Sequence, residues 1–118
     1  MPRNMSFSLT TEQFLDGSKT VTRRRGWKFL KVGDIVCGVR KGMGLKKGEK
    51  VERLGLIEIV STRGEPLMDI TAEDCRREGF PNLTPWEFTL MLCKHSRGCT
   101  PGTRVNRIEF KHLTDARE

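Results

Sequence analysis

The chain has 118 residues, 36% of them apolar and 31% charged, with a net charge of +7. That length suits a single domain over residues 1–118 with one modest core. No run approaches the ~20 apolar residues of a membrane-spanning helix, and the opening MPRNMSFSLTTEQF lacks the apolar centre of a signal peptide, so a cytoplasmic, monomeric protein with no membrane contact is expected.

In chain order, the alternation from Met5 to Leu9 predicts a first strand. TTEQFLDG predicts a short helix, with Thr10 and Gln13 at capping-box spacing and Gly17 as its stop. An extended motif, GSKTVTRR, follows. DIVCGVRKG (34–42) and VERLGLIEIVSTR (51–63) predict strands flanking a glycine- and lysine-rich hairpin loop. In the second strand Leu54, Leu56 and Val60 share one parity and Ile57 and Ile59 the other. Burial on both faces, or a bulge near Gly55, accommodates this. DITAEDCRREG predicts a helix with Thr71 and Asp74 at capping spacing and Gly79 as its stop. LTPWEFTLMLCKH predicts another, with Thr84 as cap, Pro85 at the first helical position and Glu87 completing the box. Its stripe of Phe88, Met91, Leu92 and His95 reads as core-facing. TRVNRIEFKHL (103–113) closes as a strand with Ile108 and Phe110 inward. Strands and helices do not alternate, so an α+β fold or a small mixed barrel is expected rather than a doubly wound sheet.

The charge is localised. Half of the 22 basic residues lie between Lys19 and Lys50, opposed there only by Asp34 and Glu49, and the rest of the chain is slightly acidic. A field of that shape attracts polyanions, or it is simply a solvated face. RRRGWKFLK places Trp27 among basic residues. Aromatics stack on bases while cations hold phosphates. Trp27 fits that role or an anchoring one, and Phe29 fits the anchor better.

Lys19 and Thr22 carry the sharper chemistry. A threonine hydroxyl needs a base beside it, and a lysine serves if burial or neighbouring cations such as Arg23, Arg24 and Arg25 lower its pKa. A regular strand would point positions 19 and 22 to opposite faces, so a working pair requires a break in the strand. Glu73, Asp74, Glu78 and Glu87 are the candidate proton shuttles. Neither His95 nor His112 sits in a triad-like motif. The cysteines at 37, 75, 93 and 99 form no C-x-x-C pair. Cys93-x-His95-x-x-x-Cys99 is at most half a zinc site, so no metal and no cofactor is expected. Dinucleotide and Walker phosphate-cradle motifs are missing.

FLDGSKTVTRR, KVGDIV, DITAEDCRREGFPNLTPWEF and RVNRIEFKHL together resemble an ASCH domain, a small PUA-like mixed β-barrel with flanking short helices and RNA-associated relatives. The likeness runs over residues 4–113. Its most specific piece is Gly17-x-Lys19-x-x-x-x-Arg24, followed by the KVGD of Lys31–Asp34. The resemblance implies a basic cleft for RNA or a modified nucleoside or nucleotide. One bacterial branch hydrolyses the acetyl amide of N4-acetylcytidine with a lysine base, a threonine nucleophile three residues on and a later glutamate. Those match Lys19, Thr22 and Glu78 here, with Gly17, Arg23, Arg24, Arg25, Trp27, Lys28, Arg40 and Lys41 as candidate substrate or nucleic-acid contacts. Three features depart from that branch: Arg23 replaces an aliphatic residue, the loop at 41–50 is longer and more basic, and Trp86 of TPWEF belongs to a different flavour of the domain. An amidohydrolase is therefore weighed against a non-catalytic RNA-binding module and a small ribonuclease using the same cleft.

Overall fold

The computed structural model describes residues 3–41, 48 and 50–114. Most of the expected basic hairpin loop, residues 42–47 and 49, lies outside the described residues. Five strands, β1 (Arg3–Ser6), β2 (Val21–Arg24), β3 (Ile35–Val39), β4 (Arg53–Pro66) and β5 (Arg104–Thr114), form one curled half-barrel sheet in the order β1-β3-β4-β5-β2. Only β1 and β3 run parallel; the other neighbours are antiparallel. Three helices decorate it: α1 (Thr11–Leu15), α2 (Ala72–Arg77) and α3 (Pro85–His95).

The conflicting parities of β4 are resolved by two bulges. Gly38 pairs with Gly55 and Val39 with Arg53, which leaves Leu54 as an extra residue and turns it inward with Ile57 and Ile59. Ile59 pairs with Phe110 and Ser61 with Glu109, so Val60 is squeezed outward and stays exposed. These inward residues meet Met5, Phe7, Phe14, Val36, Ile108 and Phe110 in the main core. Gly38 is the only residue that fits where Phe14 of α1 presses onto β3. On its other face β5 buries Val105 and Arg107. Val105 joins Leu67, Ile70, Cys75 and Phe88 in a second core beneath α2 and α3.

Local signals at the later helices hold. The Thr71 side chain accepts from Asp74 N, and Thr84 and Glu87 close a full capping box. The box expected at Thr10 and Gln13 does not form. Thr10 occupies the N-cap of α1, but its side chain caps nothing. Gln13 Nε2 instead donates to Gly79 O across 66 residues (3.0 Å), a tertiary contact outbidding a local one. The first strand also stops before the expected Leu9. The Phe7 carbonyl is taken by Thr10 N and the Thr11 hydroxyl, which turns the chain.

The two edge strands, β1 and β2, share no ladder. Arg24 of β2 donates through Nη2 to the Ser6 carbonyl of β1 (2.6 Å), and its guanidinium lies 5.0 Å over the Phe7 ring. One side chain thus spans the open seam of the half-barrel.

Candidate active-site cavity

GSKTVTRR starts on the surface at Gly17 and Ser18 and turns inward, burying Lys19 and Val21 to Arg23. Gly17 ends α1 with φ 82, a left-handed conformation that glycine adopts without strain. Lys19 N then bonds Gln13 O, Thr20 N bonds Arg77 O, and His112 Nε2 donates to Lys19 O at 2.8 Å. His112 packs edge-on to Phe14 and Phe110, so it serves as a brace for the backbone. β2 begins only at Val21. Lys19 therefore precedes the regular strand, which satisfies the condition for Lys19 and Thr22 to face one space.

That space is a cavity of about 240 Å³, roughly eight times the volume a water molecule takes in the liquid. Lys19, Thr22, Arg23, Arg24, Arg25 and Glu78 form its polar side. Leu9, Phe80, Phe88, Met91 and Leu92 form an apolar side facing α3. Gly17, Trp27, Lys28, Arg40 and Lys41 are not among the lining residues. Trp27 holds a left-handed backbone (φ 65), packs against the main core, and its carbonyl accepts from Asn106. Phe29 lies exposed beneath the Arg3 guanidinium. Arg40 is paired with Glu52.

Lys19, Thr22 and Glu78 are each 3% exposed. Lys19 Nζ donates to Glu78 Oε1 (2.7 Å) and to the Glu78 carbonyl (2.8 Å). Glu78 caps the C-terminus of α2, and Gly79 follows with φ 101, where a Cβ would lie 2.8 Å from the Gln13 side chain. Burial pushes the Lys19 ammonium's pKa down. The Glu78 charge opposes this, and the Arg24 and Arg23 cations add to it. Burial likewise brings Arg24 down to about 10, still charged at neutral pH. Arg24 Nε donates to Thr22 Oγ1 at 3.1 Å. At the rim, Arg25 Nη1 is tied to the Arg97 carbonyl (2.7 Å) and the Ser96 hydroxyl.

Of the four candidate carboxylates only Glu78 lines the cavity. Asp74 sits behind it, held well below the usual carboxylate range by hydrogen bonds from Arg107 and Arg23. Glu73 is exposed against Arg76, and Glu87 is spent on the α3 cap. Sequence reasoning missed Arg107, which only the β5 register brings to Asp74. It also missed that the Phe88–Met91–Leu92 stripe walls the cavity as well as filling the core. Among the described residues no three His, Cys, Asp or Glu side chains gather as a metal site requires. Cys93 and Cys99 lie with their sulfurs 3.7 Å apart as free thiols.

The mixed half-barrel is a fold that solved structures share. No family model and no curated protein matches the sequence. Solved structures that match the fold include two crystal structures. An ASCH domain from Lactobacillus crispatus JV V101 superposes with a TM-score of 0.65 at 16% identity, over 95% of this chain and 79% of that one. A DUF984 protein from Enterococcus faecalis V583 gives 0.66 at 15% identity, over 100% of this chain and 84% of that one. The fold is therefore of the ASCH type, a PUA-like α+β half-barrel. No helix among the described residues is long and apolar enough to cross a membrane.

Proposed function

We propose that this protein is an amidohydrolase that removes the acyl group from N4-acylated cytosine nucleosides. The observation that carries the reading is the convergence of a buried lysine, a buried threonine hydroxyl and a buried glutamate on one small cavity, with Lys19 Nζ 2.7 Å from Glu78 Oε1. A planar pyrimidine suits the apolar wall of Phe80, Phe88, Met91 and Leu92.

The chemistry follows from the contacts. Burial lowers the Lys19 pKa and so eases loss of a proton from its ammonium, and the neutral amine so formed takes the proton of Thr22 Oγ1. The Arg24 Nε–H already directed at that oxygen favours its alkoxide. Thr22 attacks the acyl carbonyl, and the Arg24 guanidinium faces the oxyanion that forms. The proton passes from Lys19 to Glu78 along their hydrogen bond and on to the departing 4-amino group, releasing the cytosine. Water then hydrolyses the threonyl ester to free acid, returning the hydroxyl proton to Thr22. The net reaction is amide plus water to amine plus carboxylic acid.

The RNA-binding reading loses ground on the same geometry. Arg23, one of the cations expected to grip phosphates, has both terminal nitrogens on internal carboxylates, and Arg40 is paired to Glu52.

The test is turnover of N4-acetylcytidine followed by mass spectrometry. Cytidine should appear with the parent protein and fall at least ~100-fold in Lys19→Ala and Thr22→Ala, the usual scale for losing a general base or nucleophile. Unchanged turnover in either variant, or no product from the parent protein, overturns the assignment. In the second case, RNA affinity that drops steeply with salt would point to a binding module instead.

A further inference from the structure

We propose that Arg23 is a positioning residue. Its guanidinium, stretched between the two ends of α2, fixes the orientation of Glu78 that turns one carboxylate oxygen to Lys19 and withholds the other. This rests on the reading of Lys19 and Glu78 above, and it names a residue that acts through them.

Arg23 stood in the sequence as a phosphate contact. Its surroundings exclude that. The side chain is 1% exposed, and both terminal nitrogens are occupied. Nη1 donates to Glu78 Oε2 (3.2 Å), and Nη2 to Asp74 Oδ2 (2.6 Å) and Glu65 Oε2 (2.8 Å). Nε is buried without a hydrogen-bond partner. An orphan buried N–H costs free energy, so the position keeps arginine despite that nitrogen and not because of it. The planar fork does what a lysine's point charge does not: it holds Glu78 on one prong and Asp74 and Glu65 on the other in one fixed geometry.

The two ends of the bridge differ in kind. Asp74 is an immobile post. Arg107 grips it from β5 through Nε to Oδ2 (2.7 Å) and Nη2 to Oδ1 (3.1 Å). Glu78 lies one helical turn on, on the same face of α2, and has no such grip of its own. Its carboxylate is divided, Oε1 to Lys19 and Oε2 to Arg23. With Arg23 removed, Oε2 has no cation holding it and the carboxylate is free to rotate off Lys19. Three acids of this cluster (Glu65, Asp74, Glu78) face three buried cations (Lys19, Arg23, Arg107), with Arg24 and the Cys75 thiol beside them. Deleting a cation outright endangers folding. Arg23→Lys keeps the charge and removes only the double reach.

The experiment compares the parent protein, Arg23→Lys, Asp74→Asn and the double variant. One arm is N4-acetylcytidine turnover per folded molecule. The other is the 15N–1H signal of the Lys19 ammonium, whose protons exchange slowly only while Glu78 holds them. Arg23→Lys should lower kcat at least ~10-fold with KM little changed, and speed exchange at Lys19 Nζ at least ~10-fold. Asp74→Asn should do part of the same, and the two should be strongly non-additive, because they act through one bridge. A raised KM with kcat intact would make Arg23 a substrate contact and overturn the proposal. So would additive effects, or a Lys19 signal unchanged in Arg23→Lys. If the parent protein deacylates nothing while Arg23→Lys still releases the Lys19 protons, the positioning role stands and the deacylase reading falls.

Discussion

A methyl group at position 38 tests how tightly the sheet, α1 and the cavity are coupled. In Gly38→Ala the new Cβ would lie 2.6 Å from Phe14 Cε2 and closer still to Cζ. Ordinary contact begins at 3.4 Å, so the ring must retreat by more than about 0.8 Å. It has little room. Phe14 is 4.7 Å, centroid to centroid, from Phe7, 4.8 Å from His112 and 6.3 Å from Phe110. Overpacking of this kind costs about 1–3 kcal/mol, a Tm lower by roughly 4–12 °C for a domain near this size. The displacement also pushes on His112, whose ring holds the Lys19 carbonyl, so turnover should fall along with stability. Thermal and urea unfolding followed by circular dichroism measure the first effect. The decisive sample is Gly38→Ala combined with Phe14→Leu, where the smaller side chain makes the room. The double variant should be more stable than the sum of the single losses predicts. Strict additivity, or a Gly38→Ala Tm within a degree of the parent, would refute the close packing of α1 on β3.

Thr84→Ala removes a complete capping box at an exposed helix start, away from the cavity. It should cost about 1 kcal/mol, lowering Tm by about 4 °C, with turnover per folded molecule unchanged. Asp74 is depressed by Arg107 and Arg23, so it contributes stability that is present above its unfolded pKa, near 4, and lost as pH falls through its lower folded value. Acid unfolding should therefore steepen below about pH 4 in the parent protein. Asp74→Asn should be less stable at pH 7 and flatter across that window, as denaturant titrations at several pH values would report.

The parts of this molecule that were legible in its sequence are those decided over a few residues. Thr71, Thr84–Pro85–Glu87 and Gly79 announced two helices because a cap is a contact between neighbours in the chain. The parity clash in β4 announced a bulge, though not the second one at Val60. Lys19 and Thr22 were singled out together from the sequence, and the start of β2 at Val21 explains how both come to line one cavity. What failed did so through distant partners. Gln13 left its own helix cap for Gly79, and Arg23, read as a free cation, is enclosed by three carboxylates from β4 and α2. Arg24 is the same case, with a carbonyl from β1. A run of arginines looks identical in sequence whether water or the fold solvates it.

The seam between β1 and β2 has a consequence for how such a molecule diversifies. Because Arg24 both clasps the Ser6 carbonyl and points Nε at Thr22 Oγ1, the width of the opening and the environment of the hydroxyl are written into one codon. A lineage that trims residue 24 to admit bulkier guests takes the donor from the Thr22 hydroxyl in the same step. Enlargement without that sacrifice has to come from the opposite rim, at Leu9 or along α3. Those positions should therefore vary freely among descendants while residue 24 stays fixed.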